Sequence, residues 1–483
     1  MKIEQIYTGC LAQGAYFIES GGEAAVIDPL RETEPYLERA RRTGARIKYI
    51  FETHFHADFV SGHLDLAKKT GATIVYGPGA ETEFDKYEAR DGEEFPLGKV
   101  RIRVLHTPGH TPESTCYLLL DEAGKPHALF TGDTLFIGDV GRPDLAQQAT
   151  GLSQEDLAGW LYDSLRNKIL PLPDEVIVYP AHGAGSACGK NMSKETWDTL
   201  GNQKKTNYAL RADMTREEFI RQVTDGLLPP PQYFAKNAAL NKKGYGSIDE
   251  VMQRGVRPLS PEAFEAAANA TGALLLDVRD KSEFVRGFIP NSIFIGLDGS
   301  FAPWVGALVP DLMQPILIIA PAGREAETVR RLARVGCDNA IGYLEGGFEA
   351  WQAAGKEVDH LPHVDAAGLE AIVKEEPGVR VLDVRKPPEY AAAHLQPAAN
   401  FPLDFINREM HRLERTETYY LHCRSGYRST VAASILKARG FQNVVDVLDS
   451  FDRLAQTAIP VRTGACASGA EATPEDQAPA QTQ

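Results

Sequence analysis

The chain lacks a long hydrophobic run. No stretch approaches the roughly 20 consecutive apolar residues that a membrane-spanning helix requires. The start, MKIEQIYTGCLAQGAYFIES, has neither the basic nor the apolar region of a secretory leader. A basic block is also missing. Lys and Arg number 51 against 66 Asp and Glu, a formal charge of −15, so no nucleic-acid partner and no membrane partner is expected. Cysteine is scarce: Cys10, Cys116, Cys188, Cys337, Cys423 and Cys466 are scattered, with no CxxC pair. That spacing excludes a disulfide framework and points to a reducing compartment, with the cytoplasm as the expected location. Small anionic substrates stay compatible with the acidic balance, because a local arginine cluster or backbone nest can invert the field in one pocket.

What is present is ordinary globular material, 43% hydrophobic and 24% charged over 483 residues. That length predicts about three domains. To about residue 225, short apolar strands alternate with Gly-rich turns, and seven of the 12 histidines lie there. The Pro-rich stretch LLPPPQYFAKNAALNKKGYG then reads as a linker or a wrapping arm. Residues 463–483 have too little apolar content to fold and predict a disordered tail. Between arm and tail lies an internal repeat. LLLDVRDKSEFVRGFIPNSIFI recurs as RVLDVRKPPEYAAAHLQPAANF, with Asp277/Asp383, Arg279/Arg385 and Glu283/Glu389 at one common offset. Each copy continues with an apolar strand, a short loop and a helix-period segment, which predicts two tandem α/β domains with parallel sheets over 255–358 and 362–462. The first domain and its Pro-rich linker are assigned to 1–245.

Candidate ligands in the first domain follow apolar strand-like runs and sit in Gly/Pro-bounded turns. FETHFHADFVSGH carries His54, His56 and Asp58; TPGHT carries His110; FTGDTLFIGDVGRPD carries Asp133; VIVYPAHGAGSACGK carries His182. Four His and two Asp on successive strand-end loops are hard to read as unrelated structural residues.

These motifs resemble the metallo-β-lactamase superfamily, a resemblance that implies an αββα sandwich with metal at one end of two sheets. The superfamily's first motif usually continues as HxHxDH, whose last His serves a second metal; here that position is Phe59. A phenyl ring cannot ligate, which disfavours a binuclear hydrolytic centre of the glyoxalase II kind, although Asp58 and His182 remain. What survives can supply two imidazoles and one carboxylate, the ligand set of non-haem Fe(II) oxygenases. The pattern looks like the persulfide dioxygenase branch. That resemblance implies one Fe(II) per chain on His54, His110 and Asp133, with O2 and a small thiol persulfide as substrates. His56, Asp58 and His182 would orient ligands and water, and His56 as a ligand in place of His54 stays open. Two further residues have two readings each. Arg142 could hold a substrate carboxylate bidentately or form a structural salt bridge; Cys188 could be a reactive thiol at the pocket mouth or a buried inert one.

In the second repeat, HCRSGYRST follows a strand and precedes a helix, so Cys423 sits among backbone N–H groups at the positive end of a helix dipole. Arg424 and Arg428 add charge for an anionic partner such as thiosulfate or sulfite. This loop, together with LDVR, Glu389 and His394, resembles the rhodanese family, and its C-x4-R length is that of the sulfurtransferases. In the first repeat Ala320 takes the cysteine position and Glu325 the second arginine, which implies an inactive rhodanese-like module kept for packing, orientation or dimerisation. The whole resembles bacterial persulfide dioxygenase–rhodanese fusions. A thioester hydrolase of the glyoxalase II kind with an accessory sulfurtransferase is the alternative, and a homo-oligomer is allowed but not specified.

Overall fold

The computed structural model describes residues 1–464 except 148–150 and 377. The chain divides into two compact units, one of Met1–Ile248 with Ala333–Gly336, the other of Asp249–Leu332 with the chain from Cys337 on. The expected tail lies, beyond Gly464, outside the described residues. No helix among the described residues is long and apolar enough to cross a membrane.

In the first unit two six-stranded sheets face each other. One runs Lys2–Thr8, Gln13–Ser20, Glu23–Ile27, Arg46–Phe51, Thr73–Tyr76 and Tyr87–Glu88 in spatial order. The other runs Asp198–Thr199, Ile177–Pro180, Pro126–Gly132, Thr115–Leu120, Val100–His106 and Glu94–Leu97. Strand side chains alternate between faces, and the buried residues sort accordingly. Tyr16, Ile18, Phe51, Tyr117, Leu119 and Phe130 fill the space between the sheets. Ala15, Phe17, Ile47 and Ile50 pack outward beside Tyr36 and Leu66 of flanking helices. Cys116, Leu118 and Leu129 do the same against Ala158, Leu161 and Phe219 on the far side. An αββα sandwich results, as the resemblance to the metallo-β-lactamase superfamily implies. Because both faces of both sheets are covered, their strands read as near-continuous apolar runs. The Pro-rich stretch ends in a helix, Phe234–Lys243, and behaves as an arm: Asn241 is buried against the first unit.

The second unit holds two five-stranded sheets of the same topology. The first has the spatial order Pro258–Leu259, Ala340–Leu344, Ile316–Ile319, Leu274–Asp277, Ile293–Phe294; the second has His363–Val364, Val444–Val447, Tyr419–His422, Arg380–Asp383, Ala398–Asn400. Every pairing within them is parallel. The repeated DVR triplet has a mechanical explanation. Arg385 chelates Asp383 (Nε–Oδ1 2.9 Å, Nη2–Oδ2 2.6 Å), donates from Nη2 to the Ala393 carbonyl at 2.7 Å, and lies 3.8 Å over the Phe451 ring. Arg279 does the same with Asp277, the Gly287 carbonyl and Phe348. Each pair locks a strand end to the next turn.

Asp383 is fully buried, so its charge depends on that arginine. Arg385→Met should cost about 3–5 kcal/mol, because it leaves a buried carboxylate unpaired. Calorimetry should show the transition of the C-terminal unit moving down; an unmoved midpoint would mean that water reaches Asp383.

Candidate metal centre and thiol loop

Three buried side chains from three strand-end loops converge in the first unit. His54 follows the strand Arg46–Phe51, Asp133 follows Pro126–Gly132, and His110 sits in the turn between Val100–His106 and Thr115–Leu120. Ligand atoms of all three lie within 4.8 Å of one another. Asp133 Oδ2 stands 3.8 Å from His54 Nε2 and 3.4 Å from His110 Nε2, and it has no hydrogen-bond partner.

The surrounding bonds fix the imidazole tautomers. The Thr53 hydroxyl donates to Asp28 Oδ2 at 2.9 Å, so its oxygen can only accept from His54 Nδ1–H at 3.0 Å. The Arg142 carbonyl, which can only accept, lies 2.9 Å from His110 Nδ1. Both rings therefore turn an Nε2 lone pair toward the orphaned carboxylate oxygen. Two imidazole lone pairs and a bare buried carboxylate oxygen fit a divalent cation far better than they fit an empty core. Gly141 makes this approach possible. A Cβ there would stand 2.0 Å from the Asp133 carbonyl and 2.9 Å from His110 Nδ1.

The remaining candidates fall outside this trio. His56 faces away, its Nε2 3.0 Å from Asp28 Oδ1 and 3.4 Å from Glu52 Oε2. Burial opposes its charged form, but these two carboxylates hold its pKa well above the ordinary histidine range. His182 lies between two acids, Nδ1 2.8 Å from Asp133 Oδ1 and Nε2 2.8 Å from Asp58 Oδ2. Burial would lower its pKa, yet Asp133 and Asp58 raise it to about 10. Phe59 is fully buried and stacked on His56, ring centroids 4.3 Å apart. Arg142 chelates Asp144 at 2.6 and 2.7 Å and reaches the Leu228 carbonyl at 2.5 Å. Cys188 is buried, and its carbonyl accepts from Arg142 N at 2.9 Å. Burial, with Asp58 and Asp133 beside it, pushes its thiol pKa well up.

Several contributors escape the motif reading. Asp28 occupies a left-handed conformation, φ +49, and takes bonds from Thr53 N and Oγ. It does end the run EAAVID, the same strand-end signal that marks His54. Glu113 accepts from Phe55 N at 3.0 Å, and Asn241 donates to the His56 and Phe59 carbonyls, both at 2.8 Å. Nothing local in the sequence ties the arm helix to the His-rich loop.

In the second unit Cys423 is buried between the strand Tyr419–His422 and the helix Tyr427–Ala438. Gly426 N donates to Cys423 Sγ at 3.1 Å, and Ser429 Oγ lies 3.7 Å from that sulfur. Arg424 is half-buried within the loop. Arg428 is committed elsewhere: Glu389 chelates it at 2.7 and 3.0 Å. His394 stacks on Tyr390, centroids 3.9 Å apart. In the other copy Ala320 is likewise buried, and its loop keeps the same bend, Gly323 at φ +83 against Gly426 at φ +84.

The metallo-beta-lactamase superfamily pattern matches residues 8–182, and the rhodanese-like domain pattern matches 260–354 and 365–456. The human mitochondrial persulfide dioxygenase ETHE1 is 30% identical over 214 residues, 44% of this chain and 74% of that protein. A hydroxyacylglutathione hydrolase of Methylococcus capsulatus is 31% identical over 268 residues, 55% of this chain and 91% of its own length. A crystal structure named as a metallo-beta-lactamase from Staphylococcus aureus superposes with a TM-score of 0.62 at 31% identity, covering 71% of this chain and 98% of that one.

Thr53→Val keeps the shape but removes the acceptor that sets the His54 tautomer. Metal affinity, measured by competition with a chelator, should fall roughly 10–100-fold. An unchanged affinity would show that His54 is oriented by packing alone.

Proposed function

The chain belongs to the metallo-β-lactamase superfamily and continues into two rhodanese-like domains, and on that premise we propose that it is an iron-dependent persulfide dioxygenase fused to a sulfurtransferase. The observation that carries the first half is the trio His54, His110 and Asp133, with Phe59 where a second metal's histidine would stand. The overall change is R–S–SH + O2 + H2O giving R–SH, sulfite and two protons. Iron(II) held by those three side chains would supply the electrons that O2 activation needs and that zinc cannot give.

The chain's own groups prepare that site. Thr53 and the Arg142 carbonyl hold both imidazoles with Nε2 inward. His182 neutralises Asp133 through Oδ1 and leaves Oδ2 for the metal. Phe59 and Phe136 wall His182 at centroid distances of 6.4 and 6.2 Å, and apolar walls exclude water from a reaction whose persulfide substrate is labile. We take 1–245 as this domain, 255–358 as a rhodanese-like domain without a nucleophile, and 362–462 as the catalytic one.

In the catalytic domain we assign Cys423 as the sulfur carrier. Its thiolate attacks the outer sulfur of thiosulfate. That S–S bond breaks, its electron pair leaves with sulfite, and a cysteine persulfide remains. Run backwards, the same exchange consumes the sulfite made at the metal centre. The Gly426 amide and the start of the helix Tyr427–Ala438 favour negative charge on sulfur.

A thioester hydrolase is the second reading, favoured by the Methylococcus relative and by the presence of Asp58 and His182. It needs two metals. Phe59 stands where the second metal's histidine would be.

Metal analysis after anaerobic purification should give one iron per chain. His54→Ala, His110→Ala and Asp133→Ala should each abolish O2 uptake with a thiol persulfide while leaving sulfur transfer nearly intact. Two tightly bound zinc ions with thioesterase turnover would overturn the oxygenase reading.

With persulfide and O2 as sole inputs, the intact chain should release a mixture rich in thiosulfate. Cys423→Ser should release sulfite at a similar O2 uptake rate. An identical product ratio, above the uncatalysed reaction of sulfite with persulfide, would show that the two chemistries are not coupled in that direction.

A further inference from the structure

An anionic sulfur donor needs positive charge at Cys423, yet Arg428 is neutralised by Glu389 in a two-point ion pair. The neighbouring domain supplies another cation. Lys281, at the start of the short helix Lys281–Phe284 in the copy whose loop has Ala320 in place of the cysteine, donates from Nζ to the Ser425 carbonyl inside the Cys423 loop. It also lies against Gly426, where an added Cβ would stand 2.8 Å from Lys281 Nζ. Gly426 is the residue whose amide donates to Cys423 Sγ at 3.1 Å. Tyr427 makes a second tie, its hydroxyl donating to the Gly296 carbonyl at 2.8 Å, and Phe294 N donates to Ser434 Oγ at 2.9 Å on the helix behind the loop. These three bonds hold the Cys423 loop and its helix to the domain without a loop cysteine.

The charge of Lys281 is felt beneath the loop as well. Burial pushes the Asp446 carboxyl up to about 6, while the Thr430 and Ser429 hydroxyls and Lys281 act to lower it. Asp449, also within reach, is held below its ordinary range by the Ala366 amide and Arg453, with Lys281 contributing.

We propose that Lys281 is a positioning residue of the Cys423 site: the domain without a loop cysteine uses it to fix the Ser425–Gly426 turn and, from the far side of that peptide, to add positive potential for sulfur oxyanions such as thiosulfate. This rests on the sulfurtransferase reading of Cys423 for its substrate, not for its geometry. The carbonyl of Ser425 points to Lys281, so the peptide plane between Ser425 and Gly426 turns its N–H to the opposite side, toward Cys423 Sγ. Holding one end of that plane therefore aims the other. The ammonium adds attraction that a neutral side chain cannot, which gives the degenerate repeat a role that requires no cysteine.

The test uses the full chain with Lys281→Met and Lys281→Arg, and Lys281→Gln as a second neutral variant should the methionine form fail to fold. Sulfite release from thiosulfate with a thiol acceptor reads KM and kcat. Alkylation of Cys423 by iodoacetate and by iodoacetamide, followed on its peptide by mass spectrometry, reads the local charge. The neutral variants should raise the thiosulfate KM severalfold, as loss of a nearby charge acting through space does. They should also slow iodoacetate more than iodoacetamide, with Arg restoring both and O2 uptake unchanged. A wild-type KM together with an unchanged alkylation ratio would overturn the proposal. So would equal slowing of both reagents without rescue by Arg, which reports scaffolding alone. If wild type takes no sulfur from thiosulfate, the sulfurtransferase reading falls, and the alkylation ratio still decides the role of Lys281.

Discussion

One carboxylate bears two duties in the first unit. Asp133 gives Oδ1 to His182 and keeps Oδ2 bare between His54 and His110. Were Oδ2 hydrogen-bonded instead, the two imidazole lone pairs would meet a satisfied acceptor and the site would close as an ordinary polar core. Much of the loop architecture serves to keep that oxygen unpaired. Gly141 lets the backbone come close to the Asp133 carbonyl, the Arg142 carbonyl takes the His110 proton, and Asp28 claims the Thr53 hydroxyl so that it can accept from His54. Because a buried unpaired carboxylate oxygen is unfavourable by itself, the arrangement stores a preference for a cation in the folded chain.

The gross plan was legible in the sequence because periodicity and strand-end motifs are local. The tandem parallel sheets follow from local periodicity and the internal repeat, whereas the sandwich and the grouping of His54, His110 and Asp133 were implied by the resemblance that their short motifs carry. Long-range partnerships were not legible. Asn241 grips the His56–Phe59 loop from about 180 residues away, and the arm that carries it reads equally well as a linker. Arg142 and Arg428 show a different limit. Both look like anion receptors by type and place, and both are taken up by acids, Asp144 and Glu389. A guanidinium's availability depends on partners that residue spacing does not rank. Asp28 was missed although its run ends as the ligand-bearing runs do, since a single acid after a strand is common.

The repeated Asp–Arg pair shows how a fold can be maintained apart from its chemistry. Asp277–Arg279 and Asp383–Arg385 make the same chelate, reach for a carbonyl eight residues on, and cover an aromatic ring. The loops at the strand ends differ in side chains, Ala320 against Cys423, while their glycine bend is kept.

Gly323 and Gly426 share one left-handed bend, one beside an alanine and the other beside the cysteine. The contour of the loop is thus carried by a residue with no reactivity, and the reactivity by a residue the contour does not require. After an ancestral duplication, one copy could lose its nucleophile by a single codon change and still fold. Selection on that copy would then act through its fold and through the surface it presents to its neighbour, a route by which a repeat comes to serve as a support for its twin.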